Sequence, residues 1–179
     1  MYLIAVDPGQ QTGLAIVRLS GGDDWFEAHE EPWLDAVHRV HTFLRASLAA
    51  HVVTERFVIT REAAQQSRQT DALRAIGALQ FLTSAANRVD PIPFHELNRS
   101  DRTRVTSAHL RALGFWHRGG AGHANDAARH AVVALLRFHA TSPIAQRCAS
   151  VLAGDVTDGG NEDGTAATGH TGDRGTDRS

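Results

Sequence analysis

The chain has 179 residues, of which 42% are hydrophobic and 21% charged, which suits one globular domain with a core and a solvated surface. Its single cysteine excludes an internal disulfide and a multi-cysteine zinc site, and no apolar run reaches the roughly 18 residues of a membrane span. The N-terminus is too short in apolar residues and too uncharged for a secretory signal, so we expect a cytoplasmic protein that contacts no membrane.

The net charge of −2 is the sum of three unlike regions. Residues 1–55 carry three arginines and eight acidic residues, a net charge of −5. Residues 56–152 carry thirteen arginines and six acidic residues, a net charge of +7, and residues 153–179 carry two arginines and six acidic residues, a net charge of −4. Every basic residue is arginine. A basic middle region predicts a polyanionic partner.

The predicted elements begin with a β-hairpin. The apolar run 2–6 predicts a buried strand, residues 7–13 predict a turn because they contain proline and two glycines, and residues 14–19 predict the returning strand. A short third strand follows at 25–29, and a helix opens at Glu31-Pro32. The face of this helix that is predicted to be apolar comprises Leu34, Val37, His41, Leu44 and Leu48.

Strands and helices then alternate. Residues 52–60 are apolar and β-branched apart from two charges, which predicts a strand. Residues 63–88 predict one long helix, residues 91–94 a short edge strand, and residues 100–113 a basic helix that ends at a glycine.

The last predicted helix covers residues 126–139, after a glycine-rich loop at 117–122, with Asn125 as its N-cap. This order of elements predicts an α/β fold: a mixed central sheet with a leading antiparallel hairpin and helices on both faces. We assign residues 1–150 to one domain. Residues 151–179 have almost no large apolar side chains, which predicts a disordered acidic tail.

Three carboxylates lie at positions that a central sheet could bring close together. Asp7 follows the first strand at a glycine turn, Glu55 lies inside an apolar strand, and Asp126 opens the last helix. Each also has a structural interpretation: Asp7 as a turn residue, Glu55 on an edge strand or paired with an arginine, and Asp126 as a cap. His123 lies three residues before Asp126, within reach of the same site, although a lone loop histidine is also typical of a surface.

Oxygen ligands of this kind suit Mg²⁺ or Mn²⁺. Two such ions about 3.5–4 Å apart can activate a water and stabilise the leaving oxygen of a phosphodiester. The three carboxylates together therefore predict a site for metal-dependent phosphodiester hydrolysis.

Three stretches of the sequence resemble the motifs of RuvC-type Holliday junction resolvases, in the RNase H-like superfamily. Residues 3–9, Leu-Ile-Ala-Val-Asp-Pro-Gly, with Thr-Gly at 12–13, resemble the first motif. Residues 52–57, Val-Val-Thr-Glu-Arg-Phe, are similar to the second, and residues 123–131, His-Ala-Asn-Asp-Ala-Ala-Arg-His-Ala, to the last. The resemblance covers about residues 2–140.

The resemblance implies an RNase H-like fold and a homodimeric, Mg²⁺- or Mn²⁺-dependent endonuclease, with two ions per site, that resolves four-way DNA junctions. The implied metal and catalytic residues are Asp7, Glu55, His123 and Asp126. Arg129 and His130 stand where the family usually has an acidic and a small apolar residue, a departure typical of divergent phage-type members.

Further expectations concern DNA and the dimer. The family places an aromatic wedge just after its catalytic glutamate, a role that falls to Phe57 on the same strand face as Glu55, with core packing as the alternative. Arginines bind phosphates bidentately. The predicted DNA contacts are Phe57, Arg61, Arg68, Arg99, Arg102 and Arg104. The predicted dimer face is the long helix 63–88, through Leu73, Ile76 and Leu79.

Three alternatives compete with junction resolution. The first is another RNase H-like nuclease that acts on RNA or on branched DNA other than junctions. The second is an ATPase of the actin and sugar-kinase type, which needs two such domains, whereas about 150 residues supply one. The third is a non-catalytic DNA-binding module, against which the retained carboxylates argue.

Overall fold

A computed structural model describes residues 1–19, 25–46, 48–57, 69–84 and 90–154. Several predictions fall outside these ranges: Arg61, Arg68, residues 58–60 of the predicted fourth strand, and the tail from residue 155.

A mixed five-stranded sheet in the order β3-β2-β1-β4-β5 forms the centre of the described structure. Its strands are β1 (Tyr2–Asp7), β2 (Gln11–Arg18), β3 (Phe26–Pro32), β4 (Ala49–Glu55) and β5 (Phe94–Leu97). β2 pairs antiparallel with β1 and β3, whereas β4 pairs parallel with β1 and β5. The predicted α/β class, with its leading hairpin and mixed sheet, is confirmed.

Helices cover both faces of this sheet. They are α1 (Trp33–Arg45), α2 (Gln69–Thr83), α3 (Arg99–Arg102), α4 (Ser107–Leu113), α5 (His123–Phe138) and α6 (Pro143–Ala153). Alternate residues of a strand point to opposite faces. Leu3 and Ala5 of β1 therefore join an apolar core with α4, α5 and α6, while Ile4 and Val6 join a second core with α1 and α2. Burial on both faces explains why β1 is a continuous apolar run.

Several predicted boundaries are wrong. β4 ends at Glu55, so Phe57 lies beyond the strand, and the strand predicted at 91–94 is Phe94–Leu97. The basic helix predicted over 100–113 is two helices, because Thr106 caps α4 by accepting a hydrogen bond from the backbone N–H of His109.

The C-terminal elements also differ from the prediction. α5 begins at His123, after Gly122 in a left-handed conformation with φ 99°, so Asn125 lies inside the helix and is not its cap. α6 was not predicted; Ser142 caps it, and it extends to Ala153. Residues 151–153 therefore belong to the folded part of the chain, not to the tail.

The two helices over the second core expose different residues from those predicted. α1 ends at Arg45, and Leu34 and Leu48 are 48% and 41% exposed. In α2, Ile76 and Leu79 are only 7% and 1% exposed, because this side of the helix packs against α1 and the second core. They therefore cannot form a dimer face, and that part of the prediction is wrong.

A histidine cluster lies at the opposite end of the parallel strands from Glu55. The ring of His51 in β4 is 5.3 Å from that of His95 in β5 and 4.6 Å from that of His139, after α5. Burial lowers the pKa of all three side chains; His139 and His95 lower that of His51 further, and Arg137 that of His95. The folded chain therefore favours neutral imidazoles here.

We predict that this cluster makes the fold acid-sensitive. Below about pH 6.5 an unfolded histidine takes up a proton that these buried histidines resist, so stability is lost as the pH falls. His51→Gln should reduce the loss in the urea midpoint between about pH 7.5 and pH 5. His38→Gln, at an exposed position on α1, is the control. An equal loss in the wild type and in His51→Gln would contradict the prediction.

Candidate active site

Parallel pairing of β1 and β4 sets Asp7 beside Glu55. Val6 lies opposite Thr54 in the register, and Asp7 and Glu55 are the next residues along each strand. Both strands end there, and the two side chains are 10% and 17% exposed. β4 lies between β1 and β5, so the alternative of an edge strand for Glu55 is wrong.

The N-terminus of α5 brings His123 and Asp126 to the same edge of the sheet. Gly13 of β2, opposite Asp7, allows this approach, because a Cβ there would lie 1.9 Å from the carbonyl oxygen of His123. His123 Nδ1 lies 2.7 Å from Asp7 Oδ2. A side chain at position 13 would therefore push α5 away from β1 and break this contact.

Glu30 of β3 anchors the loop that precedes α5. Its carboxylate accepts hydrogen bonds from the backbone N–H groups of Ala121, at 2.7 Å, and of Gly122 and His123, each at 3.1 Å. Burial acts to raise the pKa of Glu30, but the backbone hydrogen bond of Ala121, the charge of His123 and the backbone N–H groups of Ala124 and Gly122 lower it overall. Sequence reasoning missed Glu30, which lies about ninety residues from its partners with no local signal to connect them.

Arg102 lies among the three carboxylates. Its Nη1 is 2.7 Å from Asp126 Oδ2, 3.0 Å from Glu55 Oε2 and 3.5 Å from Asp7 Oδ1. The side chain is only 13% exposed. Arg102 was predicted as a DNA contact; in the structure its guanidinium pairs instead with the predicted metal ligands, because the turn from β5 into α3 brings it over the edge of the sheet.

Arg129 and His130, the two departures from the motif of the resembled family, each contact one of these carboxylates. Arg129 donates to Asp126 Oδ1 at 2.6 Å and to the carbonyl oxygen of Val105 at 3.0 Å. His130, fully buried, has its Nε2 3.1 Å from Glu55 Oε2. Their spacing of three and four residues after Asp126 on one helix face was the signal that could have found them.

The pKa directions show how these charges compensate one another. Burial acts to raise the pKa of Glu55, but the hydrogen bond with His130 and the charges of Arg102, His130 and Arg99 hold it below its usual range. The hydrogen bond with Asp7 raises the pKa of His123 against the opposing effect of burial, and Glu30 and Asp126 add to the rise. The site therefore favours an ionised Glu55 and a protonated His123.

The donor set fits a divalent cation. Asp7, Glu55 and His130 each offer one ligand atom, and these atoms all lie within 4.8 Å of one another. Two carboxylates and an imidazole, with Asp126 beside them, are ligands that Mg²⁺ or Mn²⁺ accepts.

The other predicted residues lie on or beside elements that border the site. Arg99 and Arg104 are exposed, on and just after α3, and Phe57 is partly exposed beyond the end of β4. Asn125, buried inside α5, accepts from the backbone N–H of His117 and donates to its carbonyl oxygen. It therefore fixes the loop in front of the helix.

Solved structures show the same arrangement of elements. RuvC of Thermus thermophilus is 19% identical, with a TM-score of 0.51 over 79% of this chain and 98% of that chain. T. thermophilus RuvC in complex with a Holliday junction substrate is 18% identical, with a TM-score of 0.50 over 76% of this chain and 95% of that chain. The chain has a RuvC-like fold. This confirms the expected RNase H-like architecture.

No protein-family model and no curated protein sequence matches the chain. In the described ranges of the RuvC-like fold, none of the helices combines the length and the hydropathy that crossing a membrane requires.

We predict that Arg102 competes with a divalent cation. A guanidinium at 2.7–3.5 Å from three carboxylates occupies the position that a cation would take. Arg102→Gln should therefore bind Mn²⁺ at least about fivefold more tightly in calorimetry, since the competing charge is gone. Arg104→Gln, at an exposed arginine just after the same helix, should change the affinity little. Equal or weaker Mn²⁺ binding by Arg102→Gln would show that the guanidinium supports the cation site.

Proposed function

We propose that this chain is a metal-dependent endonuclease that cuts branched DNA, with four-way junctions as its substrate. The observation that carries the proposal is the convergence of Asp7, Glu55 and Asp126 on one guanidinium at the end of β1 and β4. The RuvC-like fold supports it, and one of the similar structures is RuvC in complex with a Holliday junction substrate.

The residues of the site have distinct roles in this proposal. A bound Mg²⁺ or Mn²⁺ supplies Lewis acidity towards a phosphodiester and neutralises its charge. Asp7, Glu55 and Asp126 hold the cations. His123, whose side chain is 38% exposed and whose Nδ1 contacts Asp7, moves a proton at its other ring nitrogen.

Arginine has two roles in the proposed substrate complex. A cation held by the three carboxylates would displace the guanidinium of Arg102, which could then pair with phosphate oxygens of the DNA. Arg99 and Arg104 are exposed, and in this proposal they contact the DNA backbone. Phe57, partly exposed after Glu55, lies where an aromatic side chain could stack on a base at the junction.

Asp7→Asn tests the proposed activity. The variant should lose cleavage of a four-way junction in Mg²⁺ and in Mn²⁺, because a cation ligand is removed. Binding of the junction should be retained or strengthened, since removing a carboxylate reduces repulsion of phosphate. Both are measured on a labelled junction, by gel electrophoresis with and without the metal. Asp35→Asn, an exposed acidic residue of α1, is the control.

The substrate panel also includes a flap and an RNA–DNA hybrid. Preferred cleavage of either one would favour the alternative, an RNase H-like nuclease that acts on RNA or on non-junction branched DNA. Failure of the wild type to cut any of the substrates with either metal would overturn the proposal, and undiminished cleavage by Asp7→Asn would overturn the assignment of the site.

We also propose that the chain acts as a homodimer, because resolving a four-way junction takes two symmetric cuts. The surface that supports this is the side of α2 that faces away from the sheet. Leu73 is 40% exposed and Phe81 58% exposed, and Gly77 lies between them at helical spacing, with nothing within 4 Å of a Cβ placed on it. This apolar stripe, Leu73-Gly77-Phe81, replaces the predicted face.

Phe81→Glu tests the dimer. A charge in the centre of an apolar contact should weaken association, so light scattering coupled to size-exclusion chromatography should show a monomer for the variant and a dimer for the wild type. Leu48→Glu introduces the same charge at a leucine that is also exposed, at 41%, away from α2. A wild-type monomer, or a Phe81→Glu dimer as stable as the wild type, would contradict the proposed surface.

A further inference from the structure

The side chain of His130 stands out among the residues that α5 directs towards the sheet. Its neighbours on this side are alanines with 0% exposure: Ala124, Ala127, Ala128, Ala131 and Ala134. These small residues let the helix pack closely on β1 and β2. A large polar ring with 0% exposure in such a position carries a desolvation cost that a residue of the alanine type would avoid.

The polar contacts of this ring all point in one direction. Nε2 of His130 lies 3.1 Å from Glu55 Oε2, while Nδ1 is buried with no hydrogen-bond partner among the described residues. Its ligand atom lies within 4.8 Å of those of Asp7 and Glu55. The ring therefore presents one nitrogen to the pair of carboxylates from a position that the surrounding helix packing keeps in place.

We propose that His130 supplies a nitrogen ligand to the cation held by Asp7 and Glu55, and that it makes this site prefer Mn²⁺ over Mg²⁺. The inference rests on the proposed metal site and deepens it. Mg²⁺ is a hard cation that takes oxygen ligands and gives up water reluctantly, whereas Mn²⁺, although the weakest binder among the divalent first-row transition metals, accepts an imidazole nitrogen more readily than Mg²⁺ does. A site of two carboxylates and one imidazole therefore discriminates between Mn²⁺ and Mg²⁺, whereas a site of three carboxylates accepts both ions.

His130 and His123 have different environments, which separates their roles. The ring of His123 is 38% exposed and its Nδ1 contacts Asp7 from the N-terminus of α5. His130 lies two turns further into the helix and approaches the carboxylates from inside the protein. Among the residues that the structure describes, the compact group that includes Asp7 and Glu55 contains the ligand atom of His130 and not that of His123.

The experiment is pulsed electron paramagnetic resonance on the full chain with one equivalent of Mn²⁺ and no DNA. We expect the modulation of a directly coordinated imidazole ¹⁴N in the wild type, replaced by that of ¹⁵N when histidine is labelled. His123→Gln should keep the signal and His130→Gln should lose it. Asp7→Asn locates the signal at this site by weakening Mn²⁺ binding.

Calorimetry provides a second measurement. His130→Gln should bind Mn²⁺ at least about tenfold more weakly while its affinity for Mg²⁺ changes little, so that the preference disappears. If His130→Gln does not fold, the labelled wild type and His123→Gln still test the proposal. An imidazole signal that persists in His123→Gln is then assigned to His130, the other histidine beside the carboxylates.

The outcomes separate this inference from the proposed function. Bound Mn²⁺ without imidazole coupling, or with coupling lost in His123→Gln, would overturn the role of His130 while leaving the carboxylate site in place. An equal affinity of the wild type for Mn²⁺ and Mg²⁺ would overturn the preference. The absence of any Mn²⁺ binding would overturn the proposed function and this inference together.

Discussion

Three carboxylates that lie close together in a partly buried site repel one another, and this repulsion is the constraint on which the rest of the structure depends. Asp7, Glu55 and Asp126 all approach Nη1 of Arg102. Several like charges in such a place are tolerated only when positive charges or hydrogen-bond donors compensate them. In the proposed function, a metal ion would take the place of this guanidinium between the carboxylates.

Other side chains besides Arg102 compensate the negative charge of the carboxylates, and these side chains connect the site with the fold. His123 contacts Asp7, His130 contacts Glu55, and Arg129 contacts Asp126, so each carboxylate has a second partner, and all three partners lie on α5. The position of this one helix against the sheet therefore decides the geometry of all three pairs. The helix is held there by the close approach at Gly13 of β2 and by the carboxylate of Glu30, which binds the backbone in front of it.

The mixed sheet and the three carboxylates could be predicted from the sequence, because local sequence patterns indicate them. Apolar runs and glycine turns define β1 and β2, and the parallel pairing of β1 with β4 then places Asp7 beside Glu55. The side chains that pair with the carboxylates were harder to predict. The role of Arg102 depends on where the chain turns after β5, and a basic stretch around residues 99–104 gave no reason to separate it from Arg99 and Arg104. α2 presents a similar case, since helical periodicity identifies a stripe containing Leu79 but does not say whether it faces the sheet or another molecule.

The sequence by itself determined the α/β class, the leading antiparallel hairpin, and the identity of the acidic residues at the ends of β1 and β4. These features follow from periodicity and turn residues, which act over a few neighbouring positions. Only the tertiary structure decided that Arg102 lies among the carboxylates, that Arg129 and His130 contact two of them, and that Ile76 and Leu79 belong to the core. Each of these depends on the distance and angle between elements far apart in the chain, and packing of whole surfaces sets those quantities, not the propensity of any one segment.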